Sequence, residues 1–436
     1  MSGAETLDHT ATRSAPSSVF GDLSKCDGLA MRWLVLSFVV ASVAIFSRDP
    51  SLFTHPQFYA EDGRWYAQAY NLGWLHSLML PDAGYLHTQQ RLAAGLTLGL
   101  PLRWVPLPMM VVGLLMQALP VPILLSSRCR NWATLPLRLA FAAVYVAIPN
   151  AAEVHVVLTN SQWHLAFVLA LLAFAAAPTT WSGRIFDTGI LLLGALSGPF
   201  ALLLIPLVCV FWWFRRQRWS LVVLGLLTAG TLVQLSIVLQ HPRQRFLQPL
   251  GATPALFVRL VGGNAFIGTL LGSHWYGMRV PLLWSLTALV LGLTLISYCF
   301  RYVSLEVRLF FVYCGAALLG GLHTPAFAPT NQQLWPLLLE FAVRRYWFLP
   351  DLVLLFAVLW CAAFAQAKVV RCIGCCFAML LCVGIWKDWR IPPMYDVGFR
   401  QSAAAFEAAS PGTHMIIPVF PGGSSWKMDL VKRPER

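Results

Sequence analysis

Charge is scarce in this chain. Asp, Glu, Lys and Arg make up 11% of its 436 residues, where a soluble domain carries about 25%. With 58% of the residues hydrophobic, that scarcity excludes a soluble globular protein and leaves a polytopic membrane protein. The apolar runs are long and do not alternate, so the spans are helices, not barrel strands. Lysine is scarcer still. Five of the 31 basic residues are Lys and the rest are Arg, whose planar fork suits phosphate, although a GC-rich genome produces the same bias. No contiguous basic domain exists, so the net charge of +13 points to anionic lipid or phosphate and not to nucleic acid. There is no Gly-rich phosphate loop, no GxSxG elbow and no HExxH. An ATP-driven function and hydrolases of those classes therefore have no support. The absence of an internal repeat weakens a secondary-transporter reading.

What is present is a series of apolar runs. Spans are predicted near 31–47, 105–126, 137–149, 162–178, 186–197, 199–214, 219–240, 280–299, 305–322, 347–366 and 369–386, eleven in all. The runs at 137–149 and 186–197 are short for a crossing, which needs about 20 residues. Two further pieces, 89–103 and 255–272, read as interfacial or re-entrant helices. Residues 1–30 read as a disordered cytoplasmic tail, and the first apolar run reads as an uncleaved span, not a signal peptide. Residues 31–386 form the membrane domain, with a long outer loop at 48–104. Residues 387–436 form a short extracytoplasmic segment with one β-like run, "HMIIPVF".

The tight basic turn "RRQRW" (215–219) belongs inside. Counting outward from it puts the basic turns near 126–132, 301–308 and 367–371 inside too. The N-terminus is then cytoplasmic and the C-terminus extracytoplasmic. Nine of the ten His fall in or beside outer segments, with Arg64, Arg91, Arg243, Arg245, Arg259, Arg344 and Arg345. No Cys lies in an outer loop, so no structural disulfide is expected. "CIGCC" (372–376) sits in an apolar run without His or carboxylate nearby and reads as packing.

Four outer stretches can carry chemistry. "FYAEDGRWYAQAY" (58–70) sets Glu61 and Asp62 among aromatics including Tyr66. A carboxylate near an apolar surface gains basicity and can deprotonate a hydroxyl. Asp62 before Gly63 also reads as a helix N-cap. "IPNAAEVHVVLTNSQWHLAF" (148–167) crowds Glu153, His155, Asn160, Gln162, Trp163 and His164 into one turn. Polar residues at membrane depth suggest a site, with sugar or phosphate as the ligand. Their spacing matches no metal motif, and interfacial capping is the competing reading. "LSGPF" (196–200) is a tight turn. "EFAVRRYWFLPD" (340–351) places Arg344, Arg345 and Tyr346 where a lipid phosphate sits, or where an interfacial anchor would. The loop "HTPAFAPTNQQLW" (323–335) is long enough to close over a substrate, and "HPRQRFLQ" (241–248) suits a lipid headgroup or substrate equally.

The acidic pair in "AEDG" (60–63), the many spans and the outer Arg together resemble the GT-C class of membrane glycosyltransferases. "NSQWHLAF", "LSGPF" and "RYWFLP" resemble uncharacterised bacterial membrane proteins with the same ordering. The resemblance implies an all-α polytopic fold with amphipathic helices in the first outer loop. It implies transfer of a sugar from a polyprenyl-phosphate donor to an envelope glycan, lipid or protein acceptor, such as a lipopolysaccharide, at the outer face of the bacterial inner membrane. Asp62, with Glu61 second, would be the base or would hold a divalent cation such as Mg or Mn. Arg344 or Arg345 would bind the donor phosphate. The chain lacks the sizeable soluble C-terminal domain that some members carry. An O-antigen ligase or polymerase and a flippase of lipid-linked sugars are the alternatives.

Overall fold

The computed structural model describes residues 27–241, 248–275, 279–325, 332–339 and 341–434. Most of the expected N-terminal tail, residues 242–247 of "HPRQRFLQ" and residues 326–331 of the loop at 323–335 lie outside the described residues. The chain is an all-α polytopic membrane protein with one small β-hairpin. Helix α1 (Met31–Arg48) is followed by two short helices, α2 (Glu61–Leu72) and α3 (Thr88–Leu96), before α4 (Leu102–Leu125). Then come α5 (Leu135–Val146), α6 (Ser161–Phe174), α7 (Trp181–Ala195), α8 (Phe200–Arg215) and α9 (Arg218–Gln240). The bundle closes with α10 (Pro254–Leu271), α11 (Leu282–Tyr302), α12 (Leu305–His323), α13 (Val343–Phe364) and α14 (Lys368–Asp388).

Among the described residues, eight of these helices are long and apolar enough to cross a membrane: α1, α4 and α9 to α14. The other apolar runs make shorter helices. Helices α5, α6 and α8 have 12, 14 and 16 residues. The run at 186–197 lies in a 15-residue helix whose first turns carry Arg184 and Asp187. Helix α10, expected to be interfacial or re-entrant, is an apolar helix of 18 residues with a π-helical stretch at Arg259–Ile267. Both of its ends lie near one end of the bundle. Arg259 donates to Val280 O at the start of α11, at 2.8 Å. Ser273 N–H, just past its other end, donates at 2.6 Å to Asp388, the last residue of α14.

Two ends of the bundle can be told apart by charge. At one, Arg128 grips Asp187, and Arg215 grips Glu306 through Nε at 2.9 Å and Nη2 at 2.8 Å. The first pair ties the turn at 126–132 to α7, the second ties 215–218 to 301–308, and Asn131 donates to Glu306 at 3.4 Å, so the basic turns that the sequence puts on one side meet. The start of α1 joins them, since Leu29 N–H donates to Leu125 O and Arg138 donates to Asp27 O. The opposite end holds α2, α3 and the C-terminal segment.

Helix α6 runs through the middle. "SQWHLAFVLALLAF" is apolar around its whole circumference below the first turn, and all 14 residues are buried, as expected of a helix without a polar face. It spans about 21 Å, and α5 about 18 Å, less than a hydrocarbon core of about 30 Å. The difference is taken up by residues 147–160, an irregular stretch that is buried almost throughout. Irregular backbone at depth is tolerated when protein satisfies its polar groups, and here side chains do so. Arg48 donates to Val146 O and Ile148 O, both at 2.9 Å. Asp388 accepts from Asn150 N–H at 2.9 Å, and Gln117 Oε1 accepts from Val156 N–H at 2.9 Å. Val156 has a φ of 61°, an uncommon conformation for a β-branched residue. The stretch lies so close to α4 that a Cβ on Gly113 would stand 2.0 Å from Val156 O.

Beyond α14, the helix α15 (Phe399–Ala408) and the antiparallel strands β1 (His414–Pro418) and β2 (Lys427–Val431) pack on α2. The β-like run is thus a strand, and the segment packs on the loop at 48–104. Phe58, Trp65 and Tyr66 form a small core there with Phe399, Phe406 and Val419. Tyr66 lies between Phe58 and Tyr70, at ring distances of 5.5 and 5.9 Å. The nine described cysteines are free. Cys372, Cys375 and Cys376 are exposed on α14 and face away from the bundle instead of packing inside it.

Candidate functional site

The acidic pair sits at the first turn of α2. Ala60 precedes it with φ 46° and ψ −121°, a conformation that costs a non-glycine residue about 1–3 kcal/mol. The C-terminal segment holds it there. Ala60 N–H donates to Phe420 O at 2.6 Å, and Phe420 N–H donates to Phe58 O at 3.0 Å. Gly63 completes the junction, because a Cβ at this position would stand 2.6 Å from a Val419 methyl.

The N-cap reading of Asp62 does not hold. Ala60 occupies the cap position and no side chain caps the helix. The Asp62 carboxylate turns instead toward the buried stretch, where Oδ1 accepts the Thr159 hydroxyl at 2.6 Å. Asp62 is 4% exposed. Burial pushes its carboxyl up to about 8, against the Thr159 hydrogen bond and with a smaller push from Glu61. Glu61 is half-buried. Burial raises its carboxyl too, while Arg345 and Arg64 pull it down. An acid in a low-dielectric wall prefers its neutral form, so it is a stronger base whenever it is ionised.

Opposite the acids, Glu153 and Arg345 form a buried ion pair that also includes a 2.8 Å bond from Arg345 N–H to Glu153 Oε2. Tyr59 joins the two halves. Its phenol is raised by burial and feels Glu153, Arg345, Glu61 and Asp62 in turn. Tyr85 lies on the neighbouring side, hydrogen-bonded to Gln162 and close to Tyr346 and Arg345, and burial pushes its phenol up to about 12. Trp163 meets Tyr346 and Phe200 edge-on, with ring centroids 5.8 and 4.9 Å apart. The "LSGPF" turn thus lies beside the site through Phe200. It also joins α3, because Ser197 Oγ accepts from Gln89 N–H at 2.9 Å.

The structure therefore brings together Glu61, Asp62, Glu153, Gln162, Trp163, Arg345 and Tyr346. It separates others. Tyr66 is in the core under the C-terminal segment. His155 and His164 lie inside the bundle, with His155 Nδ1 3.4 Å from Gln117 Nε2 and His164 Nε2 2.8 Å from Val154 O. Asn160 braces the stretch through a 2.7 Å bond to Glu153 O. Arg344 reaches Ser273 O at 3.4 Å. The polar group of 148–167 is not an interfacial cap, since Glu153, His155, Asn160, Gln162 and His164 are all buried. Among the described residues no group of three or more His, Cys, Asp or Glu can hold a metal.

Several residues of the site escaped the sequence reading. Thr159 lies within the stretch 148–167 but is not among the residues singled out there. Tyr59 adjoins the acids. His87, Gln90 and Arg91 share one face of α3, and the spacing of His87 and Arg91 by four residues was a usable signal. His87 is kept neutral, its pKa lowered to about 4 by burial and by Arg91, with Asp82 opposing. Burial lowers Arg91 to about 10. A cavity of about 480 Å³ lies elsewhere, at the basic end between Tyr298, Tyr302, Trp360 and Arg371.

Compared with known proteins, the chain matches no family model and no curated protein.

Proposed function

We propose that the chain is a membrane glycosyltransferase of the GT-C type. It transfers a sugar from a polyprenyl-phosphate donor to an envelope glycan, lipid or protein acceptor at the outer face of the bacterial inner membrane. In this reading the short helices α5, α6, α7 and α8 also cross and α10 turns back, which gives eleven crossings with a cytoplasmic N-terminus and an extracytoplasmic C-terminus.

The observation that carries the reading is Asp62, a buried carboxyl with a raised proton affinity at the mouth of the bundle. It has no cation of its own and is aimed by Thr159. The acceptor oxygen attacks the anomeric carbon, and its proton passes to Asp62. The bond from the anomeric carbon to phosphate oxygen breaks, and the phosphate leaves with the electron pair. Glu61, the more open acid, orients the acceptor. Tyr59, Tyr85 and Trp163 line the sugar side with rings and polar tips, as carbohydrate sites do when they combine apolar faces with fixed hydrogen-bonding groups. Asp62 and Glu61 are also the residues that would hold a divalent cation such as Mg or Mn, which would lower the pKa of the acceptor hydroxyl.

The test is mass spectrometry of envelope glycans from cells lacking the protein, complemented with wild type or with Asp62→Asn. A sugar restored by wild type and not by a well-expressed Asp62→Asn supports the transferase. An unchanged glycan profile in the deletion strain rejects it. A reporter fused to the C-terminus and active only in the cytoplasm rejects the orientation and this mechanism with it.

A further inference from the structure

Helix α3 carries a buried cation that makes no ion pair among the described residues. Arg91 is 0% exposed. Its Nη1 donates to a neutral partner, Gln68 Oε1, at 2.8 Å, while Nε and Nη2 have no hydrogen-bond partner among the described residues. These two nitrogens form the side-on edge of the guanidinium, the edge that holds a carboxylate or phosphate through two parallel bonds. One turn earlier, neutral His87 donates through Nε2 to Asp82 O at 3.3 Å, so its Nδ1, buried without a partner among the described residues, is an acceptor that suits a hydroxyl. Asp82, the carboxylate whose charge Arg91 feels, is already engaged, by Arg64 at 3.2 Å and by Trp65 Nε1 at 3.0 Å.

The surroundings have acceptors to spare as well. Gln89 and Gln90 are buried, and the Oε1 of each lacks a donor. The orphaned donor edge of Arg91 and the orphaned acceptors of His87 and Gln90, on one face of α3, suit a ligand with both an anionic group and hydroxyl groups, because each unmet group is costly to bury. The place is tied to the acids by short links. Gln90 Nε2 is 3.5 Å from Thr159 O, and the Thr159 hydroxyl donates to Asp62. Arg345, by contrast, already has Glu153.

We propose that the Nε–Nη2 edge of Arg91 binds an oxyanion, and that His87 Nδ1 and Gln90 Oε1, on the same face of α3, accept hydroxyl hydrogen bonds from the same molecule. The assignment of that oxyanion to the donor phosphate rests on the transferase reading. The anion site itself does not.

The full-length protein in nanodiscs is titrated with inorganic phosphate and, separately, with polyprenyl phosphate in the bilayer. Both arms are repeated for Arg91→Gln, Arg91→Lys and Arg345→Lys. Wild type binds at least one of the two probes. Arg91→Gln weakens that binding at least tenfold, Arg91→Lys falls between because it keeps charge without the fork, and Arg345→Lys stays within threefold of wild type. Without anion, Arg91→Gln melts no lower than wild type, since it removes an unmatched buried charge, and phosphate no longer raises its melting temperature. Binding of polyprenyl phosphate supports the site and its donor role. Binding of inorganic phosphate alone supports the site and removes the donor from it. Equal binding by wild type and Arg91→Gln, or no binding of either probe to wild type, overturns the proposal. Anion binding at Arg91 in a protein whose deletion alters no glycan leaves the site standing and the transferase reading rejected.

Discussion

The two ends of the bundle treat buried charge differently. At the basic end, Asp187 and Glu306 each meet an Arg through two parallel bonds. At the opposite end Glu153 and Arg345 are also matched, but Asp62 receives one threonine hydroxyl and Arg91 one glutamine oxygen. A matched pair holds turns in register and leaves nothing over for a ligand. An unmatched acid and an unmatched cation, kept buried in the same region, cost stability that a binding or catalytic role explains. The backbone follows the same division. The basic end is made of short turns between helices, with Arg216 at positive φ in an exposed turn, whereas the other end holds Ala60, Asn150 and Val156 at positive φ and an irregular stretch at depth.

Neutralising one carboxylate at each end sharpens the contrast most. Asp62→Asn is expected to lower turnover about 100-fold or more, the usual contribution of a general base, with no loss of melting temperature. Asp187→Asn is expected to do the reverse. It strands Arg128 beside a neutral side chain and costs about 3 kcal/mol, with turnover per folded molecule nearly unchanged. Denaturation and glycan transfer measured on both variants decide it, and a stable, active Asp187→Asn would break the comparison.

The second contrast is in pH. Asp62 titrates near 8 in the folded protein and near the ordinary carboxyl value, about 4, when unfolded. Between those values the folded state holds the extra proton, so stability falls as pH rises through that window. Asp62→Asn is expected to flatten this slope. Activity moves oppositely, because the base must be ionised, and kcat/KM is expected to climb toward a plateau above pH 8. Replacing Asp187 leaves the pH profile of activity in place.

The fold was largely legible in the sequence because lipid leaves few choices. Long apolar runs must be helices, and basic turns sort to one end. What escaped was depth. The polar residues of 148–167 read as one short outer turn, with interfacial capping as the competing reading. Nothing local tells that Arg48, Gln117 and Asp388, distant in sequence, satisfy their backbone below the surface. The same cause misplaced Tyr66. Its aromatic company looked like a sugar platform, but the partner that buries it is the C-terminal segment more than 300 residues on. Glu61 and Asp62 stood out because adjacent acids in an apolar setting are rare. Arg91 did not, because its significance lies in the partners it lacks.

The close approach of Gly113 to Val156 offers a smaller test. Gly113→Ala puts a methyl where Val156 O now lies. Overpacking of this kind costs about 1–3 kcal/mol. The displaced stretch carries Glu153 and Thr159, so transfer is expected to fall more than the melting temperature alone predicts. A variant that loses stability and keeps full turnover would detach the buried stretch from the site.

The finest test removes a single hydroxyl. Thr159→Val keeps the shape of the side chain and deletes the donor to Asp62 Oδ1. That bond favours the ionised carboxylate and pulls the pKa of Asp62 down against burial. A hydrogen bond to a charged group contributes about 1.5–3 kcal/mol, and each pKa unit corresponds to about 1.4 kcal/mol. The rising limb of the pH–rate profile should therefore move up by about one to two units, leaving the rate at its high-pH plateau within a few-fold of wild type. Loss of rate at every pH would mean instead that Thr159 positions Asp62. An unmoved limb would mean that the group titrating near 8 is not Asp62, and would shift the base to Glu61, whose carboxyl is also raised and is the more open of the two.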